Sequence, residues 1–98
     1  METTTLVQRL ATQKDALRAK GVEHLAMFGS RARGDFHAAS DLDVLLDVRP
    51  GAGFSLLDLV EIEQTLTQAT GIETNAFMLR SLDAAFKSAI DRDVVTVF

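Results

Sequence analysis

Two short groups of residues in this chain carry the side chains best suited to chemistry. Gly29 and Ser30 follow the apolar run 24–28, and Asp41 and Asp43 stand two residues apart at the start of another apolar segment. A glycine and a serine after a strand let the backbone turn sharply and present N–H groups and a hydroxyl, which can hold phosphate oxygens. Two carboxylates on one face of a strand repel each other unless a cation binds between them, and Mg²⁺ suits such a pair together with substrate phosphates.

The hydrophobic pattern predicts the elements that position these residues. The predicted order is α-β-loop-β-α-β-α-β, with helices over 3–20, 55–70 and 81–90 and strands over 24–28, 41–48, 72–79 and 93–98. Residues 41–48 alternate, so Asp41, Asp43 and Asp47 share the open face of a half-buried strand. We therefore expect one α/β (α+β) domain over residues 1–98, a small mixed sheet with helices packed on one face.

Polar residues and glycines predict where the helices begin and end. Ser55 with Asp58 forms a capping-box pattern ahead of the longest predicted helix, and Gly71 ends that helix. Ser81 is the expected cap of the next helix. These signals are local, and they predict helix boundaries without saying how the helices pack.

Composition excludes several functions. The chain has 98 residues, 47% of them hydrophobic, a net charge of −4 and no cysteine. An acidic chain lacks the cluster of basic residues that direct nucleic-acid binding needs, and without cysteine there is no thiolate metal site. His24 and His37 are too isolated in the sequence to predict a zinc site. No apolar run approaches the roughly 20 residues of a membrane span and no signal-peptide pattern is present, so we expect a cytoplasmic protein without membrane contact.

The two chemical groups, in this order and spacing, resemble the motif of the polymerase-β-type nucleotidyltransferase superfamily. The matching residues are Gly29-Ser30 with Gly34, followed by Ser40-Asp41-x-Asp43. The sequences Gly-Ser-Arg-Ala-Arg-Gly and Ser-Asp-Leu-Asp are similar to those of its minimal nucleotidyltransferase (MNT) branch. The resemblance implies a nucleotidyltransferase fold and Mg²⁺-dependent transfer of AMP from ATP. It also implies a HEPN-type toxin as partner, for which the MNT protein is the antitoxin in a hetero-oligomer, and a toxin tyrosine hydroxyl as the acceptor.

The resemblance also implies a nucleotide-binding set. Gly29 and Ser30 would hold the β- and γ-phosphates of the nucleoside triphosphate. Ser40 would support the start of the second strand by hydrogen bonding. Arg31 and Arg33 would neutralise the triphosphate or contact the partner, and an ordinary solvated position is an equal alternative for both.

The catalytic set implied by the resemblance contains one departure from the family. Asp41 and Asp43 would bind two Mg²⁺ ions when nucleotide is bound. The superfamily has a third carboxylate on a later strand, and that position falls on Asn75. Asparagine can ligate a metal through its carbonyl oxygen, but it brings no negative charge and cannot act as a base.

Asn75 leaves three explanations open. The enzyme works slowly without the third carboxylate, or Glu73 reaches the site instead, or the chain binds nucleotide and partner without chemistry. The last explanation corresponds to an antitoxin that neutralises its toxin by binding alone. Transfer to a small molecule is a further alternative, and it usually requires a second domain to bind the acceptor.

Overall fold

The alternating segment predicted over 41–48 lies inside a four-stranded sheet in the computed structural model, which describes residues 1–98. The strands are β1 (Val22–Phe28), β2 (Leu42–Val48), β3 (Thr74–Met78) and β4 (Val95–Thr96), in the order β3-β2-β1-β4. The helices are α1 (Thr3–Ala11), α2 (Lys14–Ala19), α3 (Ser30–Arg33), α4 (Leu56–Thr70) and α5 (Ala84–Ile90). None of these helices combines the length and the apolar character that crossing a membrane requires.

Strand directions confirm the mixed sheet. β1 pairs antiparallel with β2 and with β4, whereas β2 and β3 run parallel and are joined through α4. A parallel pair needs such a crossover connection, because its two strands point the same way. The parallel register sets Asp43 beside Asn75.

The hydrophobic core lies on one face of the sheet. It is built from alternate strand residues and from the apolar stripes of α1, α2 and α4, whose fully buried members include Leu6, Leu10, Leu17, Leu25, Met27, Val44, Leu46, Ile62 and Leu66. The period of two along β2 and the helical spacing along α1 and α4 direct these side chains to a common interior. Helices packed on one face of the sheet are thereby confirmed for the three helices that form the core.

The opposite face is more open, and α5 packs against it. Phe86 of α5 meets Phe28 and Phe77 in a cluster whose ring centroids are 5.5 to 6.2 Å apart. Phe28 pairs in register with Asp43, so the aromatic cluster stands next to that carboxylate. α5 therefore lies outside the single layer of helices that the sequence predicted, and it borders one side of the open face.

The boundaries of α4 follow the predicted signals. Ser55 and Asp58 form the capping box, in which the Ser55 hydroxyl accepts from the Asp58 N–H and the Asp58 carboxylate accepts from the Ser55 N–H. These hydrogen bonds, first of all the one from the Ser55 backbone, lower the pKa of the Asp58 carboxyl. Gly71 ends the helix at a φ of 74°, in the left-handed region that glycine enters without strain.

Three predicted boundaries were wrong. The helix expected over 3–20 is broken into α1 and α2 at Thr12 and Gln13, whose N–H groups donate three residues back, to the Arg9 and Leu10 carbonyls, and not four. Asp83, not Ser81, caps α5 by accepting from the Phe86 N–H at 2.7 Å. The terminal strand is limited to Val95–Thr96.

Candidate active site

The chain turns sharply between the end of β1 and the start of α3. Gly29 makes this turn with a φ of 76°, a conformation that residues with a Cβ rarely adopt. A Cβ at this position would lie 2.8 Å from the Asp43 Oδ2 atom. The backbone angle favours glycine here, and a side chain would also have to displace the Asp43 carboxylate. The half-buried Ser30 follows as the first residue of α3.

The two predicted carboxylates lie on the same side of the sheet. Asp41 is exposed just before β2, and Asp43 is half-buried within it. The side-chain nitrogen of Asn75 is 3.2 Å from Asp41 Oδ2 and 3.3 Å from Asp43 Oδ1. Because one nitrogen reaches both carboxylates, the structure brings Asp41, Asp43 and Asn75 into one group.

The charge of this group is not balanced by any basic side chain. The ion pairs of the chain involve Lys20 and Arg33, and neither reaches Asp41 or Asp43. Burial raises the pKa of the Asp43 carboxyl above its ordinary value; the hydrogen bond from Asn75 opposes this rise, and the negative charge of Asp41 adds to it. The ionised form of the Asp43 carboxyl is therefore destabilised, and a bound cation would stabilise it.

Arg31 is placed differently from its expected role. Its side chain is 4% exposed, and its Nε and Nη2 atoms donate to the Ser40 carbonyl at 3.2 and 2.9 Å. The guanidinium also stacks over the Phe36 ring, 4.4 Å from the centroid. Arg31 is therefore turned into the protein and holds the residue that precedes Asp41. The solvated alternative is therefore wrong for Arg31, whereas its contact with the triphosphate or the partner stays a prediction.

Ser40 closes the turn that leads into β2. Its hydroxyl accepts from the His37 N–H at 3.0 Å, and its own N–H donates to the His37 carbonyl at 3.0 Å. Together with the two bonds from Arg31, these contacts fix the backbone immediately before Asp41. The hydrogen bonding expected of Ser40 at the strand start is present.

Arg33 stays at the surface. It pairs with Asp35 at 3.1 Å and with Asp93 at 3.6 Å. The hydrogen bond with Asp35 is the main reason that the pKa of the Arg33 guanidinium is raised. Its proposed contact with triphosphate or partner stays a prediction.

Glu73 lies at the edge of the group and not inside it. It is exposed and directly precedes β3, while Asn75 makes both contacts to the aspartates. The Glu73 backbone carbonyl accepts from the Leu42 N–H at 2.8 Å, which ties the start of β3 to the start of β2. Asn75, and not Glu73, thus contacts both aspartates, and its assignment to the position of the third carboxylate stays a prediction.

A second group of ligand-type side chains lies near the far end of β1, and sequence reasoning missed it. Glu23, His24 and Asp47 have ligand atoms within 4.8 Å of one another. A register shift between Val22 and His24 lets Glu23 and His24 both avoid the core. His24 is therefore less isolated than its sequence position indicated, although nothing in the sequence reveals this irregularity.

Basic side chains surround this second group and weaken its attraction for a cation. Arg18 and Arg49 line the shallow cavity that Glu23 and His24 share. The Asp41, Asp43 and Asn75 group has no such neighbour. Two carboxylates, an amide oxygen reached by rotating Asn75, and a close backbone turn are a fitting donor set for Mg²⁺ with phosphate oxygens.

Comparison with known proteins agrees with this geometry. The family model for the nucleotidyltransferase domain matches residues 10–95. The chain is 34% identical over 89 residues to the protein adenylyltransferase MntA of Thermococcus cleftensis, which covers 90% of this chain and 88% of that protein.

Solved structures show the same fold. A candidate minimal nucleotidyltransferase superposes with a TM-score of 0.81 and 26% identity, covering 97% of this chain and 95% of that one. A chain from the complex of the tri-AMPylated Shewanella oneidensis HEPN toxin with its MNT antitoxin gives a TM-score of 0.65 at 16% identity, covering 94% of this chain and 71% of that chain. At that identity the likeness concerns the fold alone.

Proposed function

This chain belongs to the nucleotidyltransferase domain family, in its minimal branch, and we propose that it is an antitoxin that transfers AMP from ATP to a tyrosine hydroxyl of a HEPN-type toxin. The observation that carries the proposal is the group of Asp41, Asp43 and Asn75 beside the Gly29 turn. Support for the acceptor comes from a relative that is a protein adenylyltransferase, and from a chain of the same fold in a complex of an AMPylated HEPN toxin with its MNT antitoxin.

The proposed binding mode assigns each part of the site to a part of the nucleotide. Gly29 and Ser30 contact the terminal phosphates through the backbone and the Ser30 hydroxyl. Asp41 and Asp43 would hold Mg²⁺, and Asn75 would supply its amide oxygen as a neutral ligand. When bound, Mg²⁺ neutralises the phosphates and makes the α-phosphorus easier to attack.

The proposed reaction is a displacement at the α-phosphorus. The acceptor oxygen forms a bond to phosphorus, the bond between the α-phosphorus and the α,β-bridging oxygen breaks, and pyrophosphate leaves. The hydroxyl proton must pass to a carboxylate of the site or to water, because Asn75 cannot accept it. The site thus offers positioning and charge, but one proton acceptor fewer than the family pattern provides.

Asn75 favours a second candidate function. An antitoxin that binds nucleotide and toxin without transferring AMP needs the fold and the docking surface, but not a third carboxylate. The amide preserves a stable group with both aspartates, since it donates to each of them. Binding alone is therefore the alternative against which transfer has to be tested.

The deciding experiment combines AMP transfer with toxin neutralisation. The chain, ATP, Mg²⁺ and the purified HEPN-type toxin are incubated, and the mass of the toxin is measured. We expect the mass of bound AMP on the toxin, and we expect it to be lost in the double variant Asp41→Asn, Asp43→Asn. Neutralisation without any mass change would overturn transfer and establish the binding function.

Cation binding is tested in the same variants. Mg²⁺ with ATP is expected to raise the melting temperature of the parent and to have no such effect on the double variant, because only the folded site binds the cation. The control variant Glu23→Gln, Asp47→Asn removes the same charge from the second group of ligand-type residues. If the control loses the response and the Asp41, Asp43 variant keeps it, the cation site is at the other end of the sheet.

A further inference from the structure

We propose that the exposed side of α4 is the docking surface for the polypeptide that accepts AMP, and that this polypeptide is positively charged with an apolar anchor at one end. The inference rests on the proposed function, because it assigns a place to its protein acceptor. The surface consists of an apolar patch, Leu56, Leu57 and Val60, and a polar groove that continues from Val60 to the Asp41, Asp43 and Asn75 group.

The apolar patch is the densest exposed hydrophobic feature of the chain. Leu56 is 74% exposed, Leu57 69% and Val60 39%. Only two other large hydrophobic residues are exposed, Met1 and Phe86, and Phe86 already packs against two phenylalanines. Isolated exposed leucines need no explanation, but three apolar side chains on one helix turn next to a groove are typical of an interaction site.

The groove links this patch to the candidate active site. Its volume is about 610 Å³, and its lining residues are Val60, Glu63, Gln64, Thr67, Gln68, Glu73, Thr74 and Asn75. Leu57, Val60, Gln64 and Thr67 follow one another at spacings of three and four, so they form one stripe along the helix. The stripe from Leu57 to Thr67 is about 15 Å long at the rise of an α-helix. A segment anchored on the leucines therefore reaches Asn75 after three turns of helix or less.

The edge of β3 excludes one mode of binding in this groove. The outward N–H of Thr74 donates to the Thr67 hydroxyl at 3.1 Å, and that of Ala76 donates to Glu63 Oε2 at 2.8 Å. These are the groups that an added β-strand would use. Because α4 side chains already accept from them, the acceptor polypeptide must be recognised through its side chains.

Charge specifies the partner further. The groove contains two carboxylates, Glu63 and Glu73, and no basic side chain. It opens next to Asp41 and Asp43, which are also without an ion-pair partner. A positively charged segment complements this surface, whereas an acidic one is repelled. The occupant is thus a basic segment whose apolar end lies on Leu56 and Leu57 and whose hydroxyl reaches the nucleotide.

The test uses the purified HEPN-type toxin as probe and measures two quantities, complex formation without ATP and AMP transfer with ATP. In the patch variant Leu56→Gln, Leu57→Gln, the dissociation constant of the complex and the KM for the toxin should rise by at least about tenfold. The KM for ATP and kcat should stay within about twofold, since neither leucine touches the nucleotide site.

Opposite charges in the groove give a signed control. Gln64→Lys with Gln68→Lys should weaken the complex, and Gln64→Glu with Gln68→Glu should strengthen it. Gln64 and Gln68 are exposed, so we expect all four substitutions to leave the protein folded. Gln8→Lys with Ala16→Lys adds the same charge at exposed positions on α1 and α2 and should leave the complex unchanged.

The outcomes separate this surface from the proposed function. If the parent transfers AMP and the patch and groove variants bind and react as the parent does, the surface is wrong and the transfer function stands. If no variant transfers AMP but complex formation follows the patch and the groove charge, the surface stands and transfer is overturned. A stronger complex in the lysine variant than in the glutamate variant would overturn the positively charged partner.

Discussion

Gly29 and Asp43 are in such close contact that a Cβ on the glycine would lie 2.8 Å from the aspartate Oδ2 atom. The contact joins the turn after β1 to β2, so the Gly29-Ser30 turn and the Asp43 carboxylate form one continuous surface. The effects of backbone strain and of side-chain collision at this glycine can be separated, because Gly34 shares the positive φ but has open space around a new Cβ.

Gly29→Ala is expected to destabilise the fold and to abolish the ATP-dependent rise in melting temperature. The new Cβ must displace the Asp43 carboxylate, and the positive φ adds about 1–2 kcal/mol of backbone strain. Gly34→Ala is the matched control, since Gly34 also has a positive φ of 87° but has no atom within 4 Å of a new Cβ. Urea unfolding and thermal shifts with Mg²⁺ and ATP measure both effects. Equal losses in the two variants would mean that strain alone, and not the contact with Asp43, is responsible.

Arg31→Met is expected to destabilise the chain by about 1–3 kcal/mol, because it leaves the Ser40 carbonyl without its donors in a largely buried place. The same change should weaken the cation response, since the backbone before Asp41 loses its anchor. Arg33→Met is the control: it removes only surface ion pairs and should leave the unfolding midpoint close to that of the parent. If both variants unfold alike, the buried guanidinium is not what holds the turn.

The pH dependence of stability should report the burial of Asp43. Its pKa is raised above the ordinary 3.8, so the folded state binds this proton more tightly than the unfolded chain does. The free energy of unfolding therefore falls as the pH rises from below 3.8 through the folded pKa, and the loss persists at neutral pH.

Asp43→Asn removes the ionisable group and with it the loss of unfolding free energy at neutral pH. The variant should therefore be more stable than the parent at pH 7 in buffer with EDTA. The advantage should shrink below pH 4, where the parent carboxyl is protonated. Asp47→Asn, four residues along the same strand and face, controls for a general change in charge. A variant that gains nothing at pH 7 would show that the charge of Asp43 is already compensated in the metal-free protein.

The sequence predicted local features of this site better than distant ones. The capping box of Ser55 with Asp58 and the alternation along β2 involve neighbours in the chain, so their residue types were sufficient. The burial of Arg31 depends on its contacts with the Phe36 ring and the Ser40 carbonyl. These contacts form only in the folded chain, and the sequence shows no more than an arginine in a polar segment. The bulge after Val22, which brings Glu23 and His24 to one side, likewise has no signature in residue type.

The placement of Asn75 was predictable only by resemblance to the family. Its contacts with Asp41 and Asp43 span 34 and 32 residues and depend on the parallel register of β2 and β3. Hydrophobic pattern alone cannot set that register across an intervening helix. The family motif supplied the expected position, and the structure supplies what the motif lacks: the amide donates to both carboxylates.

Asn75→Asp should raise AMP transfer to the HEPN-type toxin by at least about tenfold, equivalent to about 1.4 kcal/mol off the barrier. The change replaces a donor by a third carboxylate of nearly equal volume, which adds a charged metal ligand and a proton acceptor. It also places three carboxylates together, so the metal-free variant should be less stable than the parent and should gain more from Mg²⁺ with ATP. Mass spectrometry of the toxin and thermal shifts of the variant measure these two effects separately.

Glu73→Gln tests the competing assignment of the third carboxylate. Glu73 is exposed and stands outside the contacts between Asn75 and the aspartates, so its loss should leave kcat for transfer unchanged and raise only the KM for the toxin, through the lost charge in the groove. If Glu73→Gln abolishes transfer while Asn75→Asp brings no gain, the third carboxylate is Glu73, two residues earlier. If neither the parent nor Asn75→Asp transfers AMP and both neutralise the toxin, the amide marks an antitoxin that acts by binding alone, because restoring the ligand charge would then have had no reaction to accelerate.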